Sequence, residues 1–419
     1  MREKLVVVGQ GYVGLPLAMR AVDAGFDVVG IDVDDWRVKR LNAGESFVED
    51  IGDDQVAAAL SCGRYLASTD YADAAGFDVC VITVPTPLSE GAPDLCHIAS
   101  AGRSIAPLLR PGATVVLEST TYPGTTEEYL LPILEDGSGL RAPEDFLLGY
   151  SPERIDPGNA VWRLDNTPKV VSGLDETSLE RIQGFYRRVV DQVVPVSSLQ
   201  VAELCKLLEN TFRHVNIALV NELSIFAEQL GIDVWEAIDA ASTKPFGFMR
   251  FTPGPGVGGH CLPIDPSYLS WKVKRSLGHN FRFVELANDI NDHMPDHVVN
   301  RLMLALNQRG KALNGSRVVV LGLAYKKNAG DCRESPAIEV VRALHKLGAR
   351  VRAADPHAAD CRLPAGIEIV EATRRELAEA DAVLVLTDHD DFDYELVREV
   401  SPYVFDTRNR CRGPNVEVL

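Results

Sequence analysis

One cysteine in this 419-residue chain stands where its sulfur could act as a nucleophile. In the segment FTPGPGVGGHCLPIDP, four glycines and two prolines lead the backbone to Cys261, and Asp265 follows four residues later. A helix starting near position 261 or 263 would carry both side chains on one face. A thiol at a helix N-terminus, or beside a cation, holds more of its thiolate form, and the glycines leave room for a substrate. Thiolate addition to an aldehyde gives a thiohemiacetal, which can surrender a hydride to become a thioester that water cleaves. The structural alternative is a small buried thiol, the common fate of a free cysteine. The adjoining His260 is read as structural or substrate-contacting, since sequence neighbours rarely face each other. Other ligands at zinc spacing are lacking here, so no metal is expected.

A second pair lies upstream. Lys206 and Asn210 stand four apart in SLQVAELCKLLENTFRHVNIALVNELSIFAEQL, a stretch of helical period with neither glycine nor proline. One turn apart on one face, they could donate to an alkoxide or oxyanion. Otherwise they belong to a solvated helix face.

The third constellation is a glycine turn. Gly9, Gly11 and Gly14 follow the apolar run KLVVV and open a helical stretch, and Asp32 ends the next run, 23 residues beyond Gly9. Gly9 permits the tight turn, Gly11 lets the backbone approach a pyrophosphate, and Gly14 allows close helix–strand packing. The helix N-terminus offers amides to phosphate. Asp32 would accept from ribose hydroxyls and repel a 2′-phosphate, which favours NAD over NADP. A purely structural glycine turn is the alternative.

The elements that must position these groups follow from apolar rhythm. Buried runs recur at 78–84, 113–119 and 145–151 with helix-length spacers, the pattern of a parallel sheet. A second strand–turn–helix–strand begins at RVVVLGLAYKKN and ends at ARVRAADPH, with Asp355 in the place of Asp32 and lysines in place of the glycine fingerprint. It is expected to hold a different ligand at the same topological position. The fold class is therefore α/β: two Rossmann-like, doubly wound parallel-sheet domains joined by a long helix and a helical middle domain. Expected boundaries are 1–197 for the NAD-binding domain, 198–312 for the helical part with the cysteine loop, and 313–419 for the second Rossmann-like domain, with a cleft between domains.

A net charge of −18 argues against a nucleic-acid binder, whose phosphate contacts need a basic surface. Eight scattered cysteines with no Cys-x-x-Cys pair read as a reducing cytosol rather than a disulfide framework. No apolar stretch reaches the length of a membrane span, and the N-terminal apolar run is broken by glycines, so it is read as a strand and the chain as a cytoplasmic protein without a membrane partner.

Taken together, GQGYVGLPLA, VPTPL, ESTTYPGTT, SPERIDPGN, the AELCKLLEN helix, GPGVGGHCLPIDP, LGLAYKKNAGDCRESPAI and VFDTRN resemble the UDP-glucose/GDP-mannose dehydrogenase family along nearly the whole chain. The resemblance implies a three-part enzyme that uses NAD, forms a homodimer through its long helix, and oxidises one carbon of a UDP-sugar twice. It implies Cys261 as nucleophile, Lys206 and Asn210 as oxyanion donors, Asp265 assisting proton transfer, Thr120 near the nicotinamide and the catalytic water, and Glu153 in thioester hydrolysis. For the cofactor it adds Tyr12, Val13, Arg37, Thr83, Pro85, Thr86, Thr120, Glu153 and Lys326. For the sugar nucleotide it adds Arg154, Arg250, Gly258, His260, Arg333 and Arg408, beside Lys206 and Asn210. Arg154, Ile155, Asp156 and Pro157 after SPE, Ile264 before Asp265, and His260 depart from the UDP-glucose pattern and look like enzymes of UDP-N-acetylhexosamines. UDP-N-acetylglucosamine or an epimer is thus the expected substrate, with UDP-glucose or another nucleotide hexose as the alternative. A two-electron β-hydroxyacid dehydrogenase, which would not need Cys261, is the more distant one.

Overall fold

The computed structural model describes all residues except 1, 49, 90, 156–158, 160, 260, 261, 359 and 360. His260 and Cys261 therefore lie outside the described residues. The chain divides into two compact units, one of residues 1–209 with 267–279, the other of residues 210–266 with 280–419.

The first unit is built on eight strands: β1 Lys4–Val8, β2 Asp27–Ile31, β3 Tyr65–Ser68, β4 Val79–Ile82, β5 Thr114–Leu117, β6 Leu147–Tyr150, β7 Lys169–Gly173 and β8 Val193–Pro195. Their order is β8-β7-β6-β5-β4-β1-β2-β3, so the chain reverses direction across the sheet between β1 and β4, where ligands of such sheets bind. Alternation along β1 sends Leu5 and Val7 into one core and Val6 and Val8 into the other, each side chain buried. Helix α1, Gly14–Asp23, covers the first face with Leu15 and Val22. Each fully buried Val or Leu contributes about 1.5–3 kcal/mol, and this is why the strands read as continuous apolar runs. The sheet departs from the expected all-parallel form at one pair: β6 and β7 run antiparallel, with Gly149 opposite Gly173. No helix stands between them among the described residues, and a parallel return would need one.

The second unit repeats the plan with β9 Arg317–Leu321, β10 Arg350–Ala354, β11 Glu368–Ile369, β12 Ala382–Val385, β13 Val404–Asp406 and β14 Val416–Val418. The order is β11-β10-β9-β12-β13-β14, all parallel. Val318 and Val320 face one core, Val319 and Leu321 the other. Here the structure departs from the expectation of unpaired cysteines. Cys332 and Cys361 form a disulfide, 29 residues apart in sequence with a Cα–Cα distance of 5.8 Å. Sequence spacing could not reveal it, because the pairing depends on how the loops after β9 and β10 fold back.

Helix α2, Leu199–Leu230, spans 32 residues, or about 48 Å at 1.5 Å per residue. Val201, Leu204, Leu208, Phe212, Leu219, Leu223, Phe226 and Leu230 recur along it at three- or four-residue steps, with one step of seven, and all are exposed. Helix α3, Asp265–Leu277, begins later than expected from the cysteine segment. Pro263 disfavours helix at its predecessor, and Pro266 is tolerated only because it falls in the first turn, so Asp265 opens the helix. Among the described residues no helix is long and apolar enough to cross a membrane.

Candidate active site

In the first unit the glycine turn has the geometry its residues require. Gly9 has φ +95°, and a Cβ on Gly14 would lie 1.8 Å from the Gly9 carbonyl oxygen and 2.5 Å from Thr83 Oγ1. Neither position tolerates a side chain. A Cβ on Gly11 would meet nothing within 4 Å, so the turn is open on the side where a pyrophosphate must approach. Thr83 tightens the turn from β4 by donating its hydroxyl to the carbonyls of Val8 and Gly9, both at 2.9 Å. The buried Gln10 donates to the carbonyls of Val7 and Gly9 and accepts from Tyr65, which locks the turn from beneath.

Asp32 is buried at the end of β2. One of its oxygens accepts from the Gln10 amide at 2.8 Å and from Arg37 at 3.4 Å, and the other accepts from the Asp34 amide at 2.9 Å. A carboxylate so placed keeps acceptor capacity for ribose hydroxyls. Among the described residues no side chain caps α1, whose N-cap residue Val13 follows the exposed Tyr12. These residues fit NAD. Pro85 is exposed and Thr86 half-buried, and the Thr86 carbonyl accepts from the hydroxyl of Tyr268, a fully buried residue of α3. Ser119 donates to the Val84 carbonyl at 2.7 Å, beside the half-buried Thr120.

Glu153, just past β6, is held on both oxygens. Its Oε1 accepts from the amides of Arg154 and Ile155, each at 2.6 Å, and its Oε2 from Lys169 Nζ at 3.1 Å. Burial pushes its carboxyl up, but Lys169, the Ile155 amide and Lys206 together hold it below the usual carboxylate range. Lys206 itself is 8% exposed on α2. Arg154 is committed to Glu209 at 2.7 Å and to the Pro168 carbonyl at 2.6 Å.

In the second unit Asn210 Nδ2 donates to Asp265 Oδ2 at 2.5 Å, both residues being buried. The glycine-rich segment before Asp265 is held by a buried amide network. Asn221 Oδ1 accepts from the Gly254 amide at 2.9 Å, and its Nδ2 donates to Asn291, which also meets His214. Burial pushes His214 down, so it serves the network as a neutral ring. Gly258 has no room for a ligand at its own α-carbon, since a Cβ there would lie 2.6 Å from the Glu334 carbonyl oxygen. Its smallness serves packing against the loop after β9.

The expected substrate arginines are partly committed. Arg250 is ion-paired to Asp239, and Arg333 grips Asp331 through two nitrogens at 2.6 and 2.8 Å. Arg408 donates Nε to the Leu386 carbonyl at 2.8 Å and packs its guanidinium against Gly254. Lys326 is half-buried in the loop after β9. Asp355 ends β10 as Asp32 ends β2, but it accepts from the amides of Leu323, Ala324, His357 and Ala358 and from His389. Burial pushes its carboxyl up, yet His389 and the amides win and hold it at about 2.

The structure thus gathers Glu153, Arg154 and Lys206 in one unit, and Asn210, Asp265, Gly258 and Arg408 in the other. Sequence reasoning missed Lys169, Glu118, Glu203 and Asn221. Glu203 had a signal, as an acid one turn before Lys206 on α2, but its partners did not. It accepts from the amides of Gly124 and Thr126 at 2.6 and 2.9 Å and from the Thr126 hydroxyl at 2.7 Å.

Three family models cover the chain in order: the NAD-binding domain of the UDP-glucose/GDP-mannose dehydrogenase family at residues 3–190, its central domain at 200–293, and its UDP-binding domain at 319–413. The chain is 35% identical to the UDP-N-acetyl-D-mannosamine dehydrogenase of Pyrococcus horikoshii, over 99% of this chain and 97% of that one. It is 40% identical to a UDP-N-acetyl-D-glucosamine 6-dehydrogenase of Pseudomonas aeruginosa, over 84% and 82% of the two chains. The solved structure of the Pyrococcus horikoshii enzyme matches with a TM-score of 0.90 over 99% and 98% of the chains, at 33% identity. The chain belongs to the UDP-glucose/GDP-mannose dehydrogenase family. It is an NAD-dependent nucleotide-sugar dehydrogenase.

Proposed function

We propose that the chain oxidises the C6 alcohol of a UDP-N-acetylhexosamine, UDP-N-acetylglucosamine or an epimer, to the uronic acid in two successive two-electron steps. The observation that carries this reading is the hydrogen bond from Asn210 to Asp265, which ties the long helix to the carboxylate four residues after Cys261. NAD, when bound, supplies the hydride acceptor, one molecule for each of the two steps. The Cys261 sulfur adds to the aldehyde and holds the half-oxidised sugar as a thiohemiacetal, then as a thioester. Lys206 and Asn210 stabilise the oxyanions, and Lys206 also favours the thiolate. Thr120 orients the hydrolytic water. Glu153, held ionised, is the base that activates it, and Asp265 handles the proton of the sugar hydroxyl. Arg154, Arg250, Arg333 and Arg408 contact the sugar nucleotide, together with His260.

Relatives named for N-acetylmannosamine and N-acetylglucosamine substrates support an acetamido sugar, as do Arg154 and Ile155 after Glu153. The apolar stripe of α2 supports a homodimer, because an exposed face of that length is a protein-contact surface. A screen of UDP- and TDP-hexoses with NAD tests the reading. It expects two NADH per UDP-N-acetylhexosamine and no acid from Cys261→Ala. Turnover confined to UDP-glucose would move the assignment to that sugar. One NADH per sugar, with Cys261→Ala fully active, would leave a two-electron enzyme.

A further inference from the structure

Behind Glu153 the first unit contains a charged cluster that the proposed chemistry does not use. Lys169, the first residue of β7, is 3% exposed and places its Nζ 2.6 Å from Glu118 Oε1 and 3.1 Å from Glu153 Oε2. Glu118, just past β5, is almost fully buried. Its Oε1 also accepts from the Tyr186 hydroxyl at 2.7 Å, while its Oε2 is buried with no hydrogen-bond partner among the described residues. Tyr186, on the helix Glu176–Val189, presents its ring 5.5 Å from the Lys169 ammonium. Glu153 has the most exposed surface of these four residues.

A lysine and a second carboxylate sealed in a sheet are an expensive way to stabilise a fold, since a well-packed apolar set of the same volume does as well or better. What such a cluster does provide is a fixed position and charge for the member that reaches the surface. We infer that Lys169 is a positioning residue for Glu153, and that Glu118 and Tyr186 in turn hold Lys169, so that Glu153 enters the hydrolytic step ionised and in one orientation.

The inference rests on Glu153 being the base of thioester hydrolysis. The groups facing Glu153 are Lys169 from β7, Glu118 from the end of β5, Tyr186 from its helix and Lys206 from α2. Of these, Lys169 is the cation in direct contact. Removing it must raise the pH at which Glu153 ionises, and with it the acid limb of hydrolysis. It must leave the first hydride transfer alone.

The test uses the full-length chain. Lys169→Met leaves Glu118 stranded and can fail to fold, so the working variant is Lys169→Met with Glu118→Gln, and Lys169→Arg is the conservative control. The Glu153 carboxyl is titrated by 13C NMR of glutamate-labelled protein, identified by its loss in Glu153→Gln, which requires no substrate. A midpoint at least one pH unit higher in the double variant, restored in Lys169→Arg, is the expected result. An unchanged midpoint overturns the inference. With UDP-N-acetylglucosamine and NAD, the double variant is expected to accumulate acyl-enzyme by intact-protein mass spectrometry at pH 7, with the first hydride transfer slowed less than twofold. If Glu153→Gln hydrolyses the thioester at the wild-type rate, the assignment of the base is what fails. If Glu153→Gln stalls and the double variant does not, only the role of Lys169 is lost.

Discussion

The side-chain amide of Asn210 points its NH2 at the carboxylate of Asp265, 2.5 Å away, with both groups buried. An amide in that orientation fixes one oxygen of the acid and keeps a second N–H for another acceptor. Asn210→Ala is expected to lower kcat by about 100-fold, the scale of losing one oxyanion donor, with KM changed far less. Steady-state NADH formation measures both, and a wild-type kcat would remove Asn210 from the chemistry.

Gly11 and Gly14 should separate binding from folding. A methyl on Gly14 collides with the Gly9 carbonyl and Thr83, so Gly14→Ala is expected to cost about 1–3 kcal/mol of stability and to lower Tm. The methyl of Gly11→Ala enters open space, so Tm should hold while NAD binding weakens at least tenfold. Thermal melts beside NAD titrations decide, and equal effects of the two variants would contradict the assigned roles.

Glu203 makes stability depend on pH. Burial pushes its carboxyl up to about 7, against the pull of Thr126 and Gly124. A group that binds its proton more tightly when folded stabilises the chain fully below its unfolded value, about 4.5. That contribution is lost as pH rises from there through 7, at about 1.4 kcal/mol for each pH unit crossed. The stability of the wild type relative to Glu203→Gln is therefore expected to fall between pH 5 and 8. Denaturation curves that stay parallel across this range would refute it.

The Cys332–Cys361 disulfide closes a loop that contains the helix Pro336–Lys346 and β10. Under non-reducing conditions Cys332→Ser is expected to destabilise the chain by about 3.6 kcal/mol, the scale for a loop of this size. Dithiothreitol should do the same to the wild type and nothing to the variant. Free thiols at both positions in the non-reduced protein would dismiss the pairing.

Much of this design is legible in the residues. The turn at Gly9, Gly11 and Gly14 can be read because only glycine satisfies its sterics, and α2 because 32 residues keep one period without a breaker. That period puts Lys206 and Asn210 one turn apart on one face, but not whether the face is buried, as both side chains are. Lys169 and Glu118 cannot be read, since each lies in or beside a strand that looks like any buried run, and only sheet order makes them neighbours. The start of α3 escapes a sequence reading because Pro263 and Pro266, both close behind Cys261, compete to set it. Asn221 is hidden by its setting, an asparagine in a helix whose partner is a loop amide far along the chain.

Asp32 and Asp355 end equivalent strands, yet they offer a newcomer different things. Four amides and an imidazole already crowd the five-donor shell of Asp355, which leaves no lone pair for a sugar hydroxyl. Grafting glycines into the turn after β9 would therefore not create a second dinucleotide grip, because the acid there is spoken for by its own main chain. The two halves share a blueprint, but Asp32, with three donors where Asp355 has five, is the carboxylate with room for one more.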